Sequence, residues 1–138
     1  MARAVVVDAS MALSWIFEDE RNDYSLQVAT YVREHGAAAP ALWRWEVQNS
    51  LLTALRRKRI TEDALASHME DIVAIAIDID VPFGFGTELT LAKQFNLTAY
   101  DAAYLELAMR RNCKLATNDT DLIKAAKSLG IFFKPERD

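Results

Sequence analysis

"AVVVDASMALSWIF", residues 4–17, decides the fold. Its first part, Ala4 to Asp8, is a run of β-branched residues closed by an acid, which predicts a buried strand. Its second part, Ser10 to Phe17, carries a helical pattern. The remaining sequence repeats this alternation. A helix is expected from about Asp23 to His35, closed by Gly36. Residues 37–41, "AAAPA", read as a weak second strand or a loop. A long helix follows from about Trp43 to Lys58, with Val47, Leu51, Ala54 and Leu55 on one face. Thr61 caps a helix over "TEDALASHMEDIVAIA". "IDIDVP" alternates like a short strand ended by Pro82, and "FGFG", residues 83–86, reads as a turn. A helix near Thr87 to Phe95 precedes another that starts around Asp101. "KLAT" is expected as a strand, "DLIKAAKSLG" as a helix with Gly130 past its end, and "IFF" as a last strand.

Strands that alternate with helices predict an α/β fold: a three-layer α/β/α sandwich with a mainly parallel central sheet covered on both faces. No linker interrupts the pattern, so residues 1–138 read as one domain. Helices outnumber strands, and those within 61–77 and 87–95 are expected to form an appendage.

Composition narrows the function. The 138 residues are 51% hydrophobic, enough for a packed interior. Formal charge is 16 − 20 = −4, so no global basic field attracts nucleic acid. A local patch would have to do so: Arg56, Arg57, Lys58 and Arg59 together, with Arg110 and Arg111 as a smaller second one. Each patch is also what a solvated helix C-terminus looks like. One cysteine, Cys113, excludes an internal disulfide and fits a reducing compartment. The apolar run before Asp8 is too short for a signal peptide, and "IVAIAI" is too short for a membrane span. The expectation is a cytoplasmic protein with no membrane contact.

In open parallel sheets the ligand site lies beyond the carboxyl ends of the strands. Asp8 closes the first strand. Glu46 lies in the first turn of the helix after the second. Asp101 starts its helix, with Thr98 at capping-box spacing ahead of it. Asp119 follows "KLAT", after Thr117 and Asn118. Each acid alone is ordinary, since helix N-termini favour acids. Four at one sheet edge are not. Two carboxylates about 4 Å apart repel by roughly 4 kcal/mol at an effective dielectric of 20. A group of them needs protons or a cation. Oxygen-only ligands select hard ions, so Mg²⁺ or Mn²⁺ is implied, and such ions activate water and stabilise charge in phosphoryl chemistry. Asn49, one turn from Glu46, and Ser10 and Thr117, beside Asp8 and Asp119, are either supporting polar groups or local caps. Asp121 reads as a helix-start charge. His35 and His68 are far apart, which argues against zinc ligation or a histidine-based triad. "GFGFGT" matches neither phosphate-loop pattern.

At "VVVDAS", "WEVQNSLL", "TAYDAAYLELA" and "LATNDTDLIKAA" the sequence resembles PIN-domain ribonucleases, in particular the VapC-type toxins of bacterial toxin–antitoxin pairs. Order, spacing and length all agree, and the resemblance covers nearly the whole chain. It implies metal-dependent endonucleolytic cleavage of RNA, with Asp8, Glu46, Asp101 and Asp119 as catalytic and metal-holding acids and Thr117 and Asn49 in support. It also implies a homodimer and a small antitoxin that blocks the site. Trp43 and Trp45, beside Glu46, would suit a partner surface; either could instead pack in the core, which is the expectation for Trp45. Two rivals remain: a non-toxin nuclease on DNA or structured RNA, and a receiver-like Mg²⁺-binding signalling module. The second needs adjacent acids at the first strand end, and "VVVDAS" has one.

Overall fold

The computed structural model describes residues 3–82 and 84–135. Strand β1 (Val5–Val7) is wholly buried and runs into Asp8, whose carboxylate caps helix α1 (Ala9–Ile16). A short 3₁₀ turn at Glu18–Glu20 leads to α2 (Asp23–His35), which opens on a capping box between Asn22 and Ser25. It ends at Gly36, whose φ of 85° suits a residue without a side chain. The weakly patterned segment forms a true strand, β2 (Ala37–Pro40), with all four residues buried. Helices α3 (Leu42–Arg56) and α4 (Glu62–Ile75, capped by Thr61) follow, then β3 (Asp78–Asp80). Helix α5 (Thr87–Phe95), α6 (Ala99–Arg110), β4 (Leu115–Ala116) and α7 (Thr120–Ser128) complete the order. Of the expected "FGFG" turn, Phe83 lies outside the described residues.

The sheet is parallel throughout, in the order β3-β2-β1-β4. Period-two alternation divides β1 between two cores, as a sheet covered on both faces requires. Val6 packs with residues of α3, α6 and α7, while Val5 and Val7 pack with Val28 and Val32 of α2. Helix α5 packs on α6, and α4 packs against α1 and α3. The last strand expected from "IFF" is reduced to a single parallel bridge between Leu115 and Phe132. The Phe133 carbonyl accepts the Tyr24 hydroxyl at 2.7 Å instead of a further ladder bond. Among the described residues no helix is long and apolar enough to cross a membrane.

Strand β2 lies on one side of β1 and β4 on the other, so the winding reverses between β1 and β4. A crevice outside the carboxyl ends of the strands is expected at that reversal. At the opposite edge, the C-terminal end of α6 is clamped to β3. Buried Asp80 accepts both Arg110 (2.5 Å) and Arg111 (2.8 Å), while Arg110 also pairs with Glu106 and Arg111 with Asp78. Hydrogen bonds from Arg110 hold the Asp80 carboxyl below its ordinary range.

Candidate functional site

Asp8 stands at the β1 side of the reversal and is 4% exposed. Its carboxylate accepts the Met11 amide at 2.9 Å, the Ser10 hydroxyl at 2.8 Å and the Thr117 hydroxyl at 2.5 Å. Burial nevertheless pushes its pKa up to about 6; these three donors oppose the rise and neighbouring Asp119 adds to it. Thr117, fully buried just past β4, also accepts the Asp119 amide at 2.9 Å, so one hydroxyl ties the ends of two strands together. Ser10 accepts the Asn118 amide at 3.3 Å and completes that tie. Asp119 caps α7 through the Leu122 amide at 3.0 Å.

The other two acids arrive on helices. Asp101 is the third residue of α6, and the cap of that helix is Thr98, whose hydroxyl accepts the Asp101 amide at 3.0 Å. Burial raises the Asp101 pKa, Asp119 raises it further, the Thr98 hydroxyl opposes, and Asp121 adds a smaller rise. Glu46, in α3, is half-buried and accepts the hydroxyl of Tyr104 from α6. Its pKa too is raised by burial, with Tyr104 opposing and Asp101 adding. The four acids therefore form an electrostatic chain, Asp8 to Asp119 to Asp101 to Glu46. Among the described residues, no group of three or more His, Cys, Asp or Glu side chains stands close enough together to hold a metal ion. Each of Asp8, Glu46 and Asp119 instead rests on protein donors. The donor set itself suits a hard divalent cation: it is all oxygen, and three of its members carry pKa values raised by burial and by one another.

The supporting residues separate. Ser10 and Thr117 join the Asp8 network, whereas Asn49 is exposed and lines a cavity of about 260 Å³ with Arg57 and Arg59. Arg59 is engaged by Asp19 and Glu20 and lies 4.1 Å from the centre of the Phe17 ring. Arg110 and Arg111 are held by acids, so the smaller basic patch is neutralised. Among the described residues, Arg56, Arg57 and Lys58 are exposed and take part in no ion pair. The two tryptophans exchange their expected places. Trp43 is 5% exposed and packs in the core, while Trp45, beside Glu46, is 65% exposed with the Arg44 guanidinium 5.8 Å from its ring. Tyr104 was not foreseen as a site residue. Its signal was there: a tyrosine one turn after Asp101, on a helix face otherwise made of Ala and Leu, needs a hydroxyl partner once buried.

A family model described as the PIN domain matches residues 5–128. Among solved structures, the chain resembles the one titled "Crystal structure of PAE2754 from Pyrobaculum aerophilum". The TM-score is 0.70 at 23% identity, over 94% of this chain and 88% of that one. That likeness is one of fold. No curated protein matches the sequence.

Proposed function

Because this chain belongs to the PIN-domain family, we propose that it is a Mg²⁺- or Mn²⁺-dependent endoribonuclease and the toxin of a VapC-type toxin–antitoxin pair. The observation that supports the reading is the electrostatic chain that runs from Asp8 and Asp119, at the carboxyl ends of β1 and β4 where the sheet reverses its winding, to Asp101 on α6 and Glu46 on α3. Asp8, Glu46, Asp101 and Asp119 would hold the ion. When bound, a hard divalent ion supplies Lewis acidity, stabilising charge at a scissile phosphate and making water a better nucleophile at neutral pH. The chain's own groups do the rest. Thr117 and Ser10 keep Asp8 oriented between two strand ends, and Asp119 is held by the first turn of α7. Arg56, Arg57 and Lys58 offer free cations for flanking phosphates, a contact that salt should weaken. Exposed Trp45, next to Glu46, offers a face to an unpaired base or to an apolar partner such as the antitoxin. A homodimer follows from the same family reading.

The test is cleavage of a broad panel of single-stranded RNAs by the purified protein with Mn²⁺ or Mg²⁺. Cutting that EDTA abolishes, and that co-expression of a small protein encoded just upstream suppresses, is the expected result. Intact RNA alongside cut DNA would replace the substrate class. Recovery of this chain alone and fully active from the co-expression would remove the toxin role.

A further inference from the structure

Tyr104 is 1% exposed, the largest of the wholly buried side chains, and its hydroxyl donates to Oε1 of Glu46. A buried phenol needs a hydrogen-bond partner, but a backbone carbonyl would have served. Here the partner is a carboxylate brought in on a different helix. Tyr104 also sits one helical turn beyond Asp101 on α6. One rigid side chain, locked by the core, therefore ties the helix that carries Asp101 to the helix start that carries Glu46.

We propose that Tyr104 is a positioning residue, whose hydroxyl fixes Oε1 of Glu46 and leaves Oε2 as the oxygen available to a divalent cation. A glutamate has three rotatable side-chain bonds, and freezing them when a ligand arrives costs conformational entropy. Tyr104 imposes that order beforehand, so the ion meets an acid already turned and held. Partners of this kind commonly govern metal affinity as strongly as some ligands do. The inference rests on Glu46 belonging to the cation-holding set.

The experiment is calorimetric titration of metal-free protein with Mn²⁺, beside thermal melts without metal, for wild type, Tyr104→Phe, Glu46→Ala and the double variant. Phenylalanine keeps the ring and removes only the hydroxyl. Tyr104→Phe should weaken Mn²⁺ binding by about 10-fold or more in the wild-type background and leave it unchanged in the Glu46→Ala background. Equal weakening in both backgrounds, or none in the first, overturns the proposal, because a merely structural hydroxyl acts without regard to Glu46. If Tyr104→Phe does not fold, Glu46→Asp carries the test. It keeps the charge but draws the carboxylate back from the phenol, and it should lose a comparable factor; unchanged affinity overturns the proposal. Wild type that takes up no Mn²⁺ brings down the reading of the acid edge itself, and this inference with it.

Discussion

Asp101 and Thr98 divide two tasks that one residue could have shared. Thr98 closes the first turn of α6, so the helix does not need the Asp101 carboxylate to begin. Thr98→Ala should cost about 1 kcal/mol of stability and leave the acid edge in place. Asp101→Asn should do the reverse. Removing one of several mutually repelling carboxylates keeps or raises the melting temperature without metal, while RNA cleavage collapses. A variant that melts lower without metal yet cleaves as well as wild type would make Asp101 part of the fold alone.

Asp8 makes a prediction about pH. Its carboxyl lies at about 6 in the folded protein against an ordinary 3.8, so the native state retains a proton that the unfolded chain has lost. Stability from this group is full below the lower value and disappears as pH rises through the upper one. The loss is on the order of 3 kcal/mol. Asp80 behaves oppositely: its carboxyl is held low by Arg110 and Arg111, and its contribution is lost as pH falls below the ordinary carboxylate range. Metal-free protein in EDTA should therefore melt higher at pH 5 than at pH 7.5. A melting temperature that climbs over that interval would contradict burial as the dominant influence on Asp8.

Among the elements, α3 shows what spacing reveals and what proximity in sequence conceals. Trp43 lies four residues before Val47 and eight before Leu51, on the stripe that packs in the core. Trp45 is two positions on, about 200° around the helix, and faces out. The helical period separates the two tryptophans, whereas closeness to Glu46 in sequence does not. Trp43→Ala should cost about 3–5 kcal/mol, and Trp45→Ala should stay within roughly 0.5 kcal/mol. Denaturant melts of the two variants decide it, and equal losses would refute the assignment of faces. Local signals were legible wherever the physics is local: Asp8 after its strand, Thr61 and Thr98 as caps, Gly36 after α2. Strand β2 was faint because three alanines and a proline carry no period and little β propensity; it is a strand because β1 and β3 pair with it. The "IFF" segment was over-read for the converse reason. Its composition is that of a strand, yet the Tyr24 hydroxyl takes the carbonyl that another ladder bond would use.

For the whole molecule, alternation alone was enough to predict a parallel sheet between helices, and the sheet is that. The order β3-β2-β1-β4 was beyond the sequence, since no local pattern says on which side of β1 a later strand will pair. That order is what brings Thr117 and Asp119 beside Asp8. The partnership of Glu46 with Tyr104 and the capture of Arg110 and Arg111 by Asp80 depend equally on distant pairing. The acidic protein as a whole keeps three cations exposed at the end of α3 and buries Asp8 at the carboxyl end of β1, with Asp119 beside it. The central claim is that this edge takes a divalent cation, and the most direct measurement is the melting temperature of metal-free protein as Mn²⁺ is added. Binding to the native state alone should stabilise it by about 2.7 kcal/mol at 100 times the dissociation constant, a rise of several degrees with a matching heat of binding. A melting temperature unmoved by millimolar Mn²⁺, with no heat on titration, would contradict the account.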